Sequence, residues 1–130
     1  MMSATGSVAS GPLLLLRLEG AALAIAAIIL FAHLGFSWWL FAALILVPDL
    51  SIAGYLAGAR IGAAIYNAAH TTLAPIAFGV LAFELDRPAM LAIGLIWLAH
   101  IGGDRALGFG LKYQTGFGFT HLGQIGHTSE

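Results

Sequence analysis

The chain has 130 residues, 60% of them apolar and 8% charged, with a mean hydropathy of +0.95 and a formal net charge of -1. That balance lies far from a soluble globular average and predicts an all-α integral membrane protein. It also excludes the basic patch a nucleic-acid partner needs, while the absence of cysteine excludes disulfides, thiolate metal sites and a thiol nucleophile.

In chain order, MMSATGSVASGP over residues 1–12 is small and polar and reads as a disordered lead-in. It is not a signal peptide, because no basic region precedes the apolar run and Arg17 and Glu19 interrupt that run. Crossing a bilayer takes about 20 apolar helical residues, and four such runs follow, over 13–34, 37–57, 61–83 and 88–108. The breaks are short (HLGFS, AGAR and ELDRP), so the expected fold is an antiparallel four-helix transmembrane bundle filling 13–110. No segment alternates with period two for long enough to suggest a barrel. Residues 111–130 are rich in glycine and aromatics and read as an interfacial tail.

Orientation follows from the basic residues. Arg17, Arg60, Arg105 and Lys112 fall on the side of the termini and Arg87 on the other, which predicts a multi-pass protein of the cytoplasmic membrane with both termini cytoplasmic and lipid as its partner. Trp38 and Trp39 then lie at the outer interface, whereas Trp97 sits mid-helix and needs another reason. Gly54, Gly58 and Gly62 make two successive G-x-x-x-G spacings, read first as tight intramolecular packing and second as a homo-oligomer face. Pro48 and Pro75 fall inside predicted helices, where each removes a backbone hydrogen bond and invites a kink.

Ionisable groups are costly inside a bilayer. Counted from the cytoplasmic helix ends at 1.5 Å per residue, Glu19 lies roughly 9 Å deep, Asp49 and His100 about 12 Å, His70 about 14 Å and Asp104 about 6 Å. All five fall in one layer. His100 and Asp104 share a stripe at i, i+4, and Asn67, His70 and Thr71 share another. Two imidazoles and three carboxylates suit zinc, iron or manganese, so Glu19, Asp49, His70, His100 and Asp104 are the expected metal ligands. Within that set, His100, Asp104 and Asp49 are the expected catalytic groups. Asn67, Arg105, Lys112 and His121 are expected to support the site, the last from a tail folded over its mouth. Each residue alone has a plainer reading: a snorkelling Glu19, a hydrogen-bonded interior His70, and a His100–Asp104 ion pair. Five together exceed what packing requires, since apolar side chains would stabilise a purely structural bundle better.

The ordered pieces RLEG, PDLS, GYLAG, YN-x-x-H, AHIG-x-D and THLG, spread over nearly all of the chain after residue 12, resemble the small bacterial membrane proteins of domain of unknown function number 4260. The resemblance departs at Gln114, where such proteins tend to carry proline. It implies fold and membrane class and brings no activity. Function therefore rests on the polar layer. The first reading is metal-assisted hydrolysis or oxidation of a lipid-like or small amphiphilic substrate. The alternatives are a small proton-coupled transporter or proton relay, disfavoured by the apolar outer helix halves, and a non-catalytic structural or assembly protein.

Overall fold

The structure, a computed structural model, describes residues 10–111, 119–120 and 123–124. Five α-helices carry the fold: α1 (Ser10–Leu34), α2 (Trp38–Leu44), α3 (Ala59–His70), α4 (Leu73–Glu84) and α5 (Pro88–Ala106), with an 11-residue 3-10 helix, Val47–Ala57, between α2 and α3. A two-residue antiparallel pair joins β1 (Phe119–Thr120) to β2 (Gly123–Gln124). Of the expected lead-in over residues 1–12, residues 1–9 lie outside the described residues and residues 10–12 form the start of α1; most of the expected interfacial tail also lies outside the described residues.

The helical class stands, but the four-helix division needs correction, because two of the expected continuous helices are broken and both breaks have local causes. The run over 37–57 opens as an α-helix with Ser37 accepting the Trp39 amide at 3.1 Å. It then tightens at Pro48, which has no amide hydrogen to continue the α ladder. The run over 61–83 stops at His70, where Thr71 turns extended and its hydroxyl accepts the Leu73 amide at 3.3 Å to start α4. Pro75 thus falls in the first turn of α4, where a missing N–H costs little, and it does not kink a longer helix.

α1 lies along α5, and α4 packs on α5 from another side. The α1–α5 seam is set by glycine: Gly20 and Gly102 face each other, and a Cβ on Gly20 would strike the Arg105 Cβ. Around Phe31, Ala92 and Ile96, all fully buried, an aromatic group of Phe31, Trp38 and Phe41 closes the end where α1 turns into α2. The 3-10 helix and α3 form a separate hairpin about Gly58, whose φ of 115° is open to glycine and strained for other residues. In that hairpin Gly54 faces Ile65 and Gly62 receives the Tyr55 ring, so this glycine spacing is occupied within the chain.

Outside these contacts the helices present large apolar side chains, with Trp39 84% and Leu56 93% exposed. Two helical stretches, Gly11–Leu34 and Trp38–Ala57, are long and apolar enough to cross a membrane by length and composition.

Candidate metal centre

The hairpin meets α5 at a polar seam. Asp49 from the first turn of the 3-10 helix, His70 from the last residue of α3, and His100 and Asp104 from successive turns of α5 bring one ligand atom each to within 4.8 Å of one another. His100 Nε2 lies 3.1 Å from Asp49 Oδ1 and 3.1 Å from Asp104 Oδ2. His70 Nε2 lies 3.2 Å from Asp49 Oδ1 and 3.6 Å from Asp104 Oδ2. The two Nε2 atoms are 3.3 Å apart. Both imidazoles are buried, with side chains 4% exposed, whereas Asp104 is 20% and Asp49 40% exposed, so the cluster is most open on the Asp49 side.

Backbone carbonyls decide the tautomers. His70 Nδ1 donates to Tyr66 O at 2.9 Å, and His100 Nδ1 donates to Ile45 O at 2.6 Å. A carbonyl only accepts, so each Nδ1 carries its hydrogen and each neutral ring turns an Nε2 lone pair into the cluster. The Ile45 carbonyl is available for a reason visible in the chain. Once the backbone tightens to 3-10, the Asp49 amide bonds to Leu46 O at 3.0 Å, and the residue whose amide would next serve Ile45 O is Pro48, which has none.

The end of α3 is held in a similar way. A helix leaves its last carbonyls without internal partners, and α5 supplies two of them: Trp97 Nε1 donates to Ala69 O at 2.6 Å, and Arg105 Nη2 donates to His70 O at 3.2 Å. Trp97 thereby acquires the reason its mid-helix position lacked. Tyr66 stacks on the His70 ring with centroids 3.7 Å apart and planes 7° from parallel, fixing the ring's attitude.

A family model described as a domain of unknown function, DUF4260, matches residues 13–125. The chain belongs to this family. No curated protein and no solved structure matches it. All four converging residues of this DUF4260 chain fall inside the matched span, and so does the Pro48 that frees the Ile45 carbonyl.

Of the five expected ligands, four converge and Glu19 does not. Gly20 is the α1 residue turned into α5, and Glu19, about 100° around the helix from it, is exposed on α1. Its expected role as a ligand is withdrawn. Arg105, expected at the rim, is half-buried and bonds the α3 terminus. Asn67 is half-buried one turn before His70, and its carbonyl accepts the Thr71 amide at 2.9 Å. Lys112 and His121 lie outside the described residues. Sequence reading missed the Ile45 and Tyr66 carbonyls. The signal for the first was present in Pro48, and that for the second in the i, i+4 spacing of Tyr66 and His70.

Chemically, two carboxylates face two imidazole Nε2 atoms at hydrogen-bonding distance, so the contacts are satisfied either by protons on the rings or by a cation held among the four groups. Such a cluster is stable only around positive charge. The carbonyl end of the α3 dipole adds to the attraction for a cation.

Proposed function

We propose that the protein is an integral membrane bundle of the cytoplasmic membrane, both termini cytoplasmic, whose Asp49–His70–His100–Asp104 cluster binds a divalent metal. The observation that carries this is the set of distances. A tetrahedral ion with bonds of about 2.05 Å separates its ligand atoms by about 3.4 Å; five of the six separations in the cluster run from 3.1 to 3.6 Å, and the sixth, between the two carboxylates, is within 4.8 Å. Protons on both Nε2 atoms would answer the carboxylates but leave two cationic rings 3.3 Å apart. One metal ion answers all four donors together. Two imidazoles and two carboxylates suit zinc first, with iron or manganese next. The Nδ1–carbonyl bonds are the outer contacts that metal-binding histidines ordinarily make.

A bound ion there polarises a carbonyl oxygen or lowers the pKa of a water, which supports hydrolysis of a lipid-like or amphiphilic substrate approaching from the Asp49 side. The apolar outer faces of the helices support the bilayer as the setting. Metal analysis of protein purified without chelator tests the reading. One equivalent is expected in the wild type and in Glu19→Gln, with less than a tenth of that in His70→Ala and His100→Ala; a wild type without stoichiometric metal refutes it.

One observation favours a second reading. The break between α3 and α4 puts a helix C-terminus at the cluster, an arrangement that transporters use for cations. Proteoliposomes that carry a proton or metal flux abolished by Asp49→Asn would support transport in place of catalysis.

A further inference from the structure

The elements that hold the cluster also wall a cavity of about 310 Å³. Pro48 and Ser51 come from the 3-10 helix, Ala69 from α3, and Ile93, Ile96 and Trp97 from α5. Four of these wall residues stand close in sequence to cluster residues. Pro48 precedes Asp49, Ala69 precedes His70, and Ile96 and Trp97 stand one helical turn before His100. The cavity and the cluster are therefore built from the same three elements.

The wall has two side-chain polar groups, and both are engaged. Ser51 Oγ donates to Pro48 O at 2.7 Å, and Trp97 Nε1 donates to Ala69 O at 2.6 Å. The rest of the wall is apolar. A sugar, nucleotide or peptide placed there would lose its hydrogen bonds to water and find none in return. A hydrocarbon chain loses nothing. At roughly 30 Å³ per methylene-sized group, the cavity holds a chain of about ten carbons, at the small end of ligand pockets in general.

We infer that this cavity is the tail subsite of the centre: it takes the single alkyl or acyl chain of an amphiphile whose oxygen-bearing head reaches the metal beside Asp49. The inference rests on the metal reading above and adds the substrate class to it. The carboxylate-lined cluster repels an anionic head unless the ion is present, so head and tail are recognised by different compartments. Ile93, seven residues from His100 on α5 and lining the cavity, sets the chain length accepted.

The test uses cobalt-loaded full-length protein in detergent and straight-chain alkylhydroxamic acids from two to twelve carbons, with binding read from the cobalt visible spectrum. Affinity is expected to rise by up to about four-fold per methylene and to level off once the cavity is full. Ile93→Trp is expected to bind cobalt normally and level off at shorter chains, and Ile93→Ala at longer ones. A cobalt-loaded wild type with affinity independent of chain length, or a plateau unmoved in both variants, overturns the tail subsite and leaves the metal centre standing. A wild type that takes up no cobalt overturns both.

Discussion

Replacing Gly102 by alanine tests the seam that positions α5. A Cβ at residue 102 would lie 2.6 Å from Gly20 O, 2.7 Å from Ala24 N and 3.1 Å from Ala24 Cα. All three atoms are α1 backbone, so no side-chain rotation relieves the clash, and reaching ordinary contact near 3.4 Å requires α1 to retreat by about 0.8 Å. Overpacking of this kind costs about 1–3 kcal/mol. The neighbouring Gly103 supplies the control, since a Cβ there meets nothing within 4 Å. Both substitutions gain the same helix propensity, about 1 kcal/mol for alanine over glycine, and that gain cancels between them. Gly103→Ala should therefore be about 1 kcal/mol more stable than the wild type, and Gly102→Ala about 1–3 kcal/mol less stable than Gly103→Ala. Thermal unfolding followed by circular dichroism in one detergent measures the difference. Equal stability of the two alanine variants would refute a seam built on glycine contact.

Tyr66→Leu removes the ring stacked on His70, and metal affinity by competition with a chelator should fall about ten-fold, since outer-contact losses typically cost 10–100-fold; Tyr66→Phe should keep most of it. Pro48→Ala restores an amide that competes with His100 Nδ1 for the Ile45 carbonyl, and a loss of affinity in the same range is expected, with little change in thermal stability. Acidification should release the ion, because both imidazoles and both carboxylates bind it only when deprotonated; titration of bound cobalt against pH should show affinity falling as pH falls, with protons released on binding.

The four cluster residues were legible as ionisable groups at one expected depth in apolar runs, and Asp49, His70, His100 and Asp104 do converge, although the helices that the count assumed are broken at Pro48 and after His70. Glu19 passed the same depth test and failed on azimuth. Which side of α1 meets α5 depends on Gly20 and Gly102 approaching across a separation of 82 positions, and no local pattern encodes that pairing. The two helix breaks were half legible. Pro48 announced a lost hydrogen bond, but whether the chain would kink or wind into a 3-10 helix depended on where the freed Ile45 carbonyl found a donor, and that donor is His100, 55 residues away. Pro75 misled because the proline was read as the interruption, whereas the polar stretch ending at Thr71 and Thr72 had already ended the helix.

The 3-10 helix gives the centre an unequal grip. Its hydrogen bonds have poorer geometry than those of an α-helix, and it contributes Asp49, the most exposed of the four groups. The other three side chains stand on α-helical turns fastened to one another by Trp97 and Arg105. Were an ion held there, the loosening of this one short winding of backbone would be its easiest way out, and its residence time would follow the local opening of Val47–Ala57.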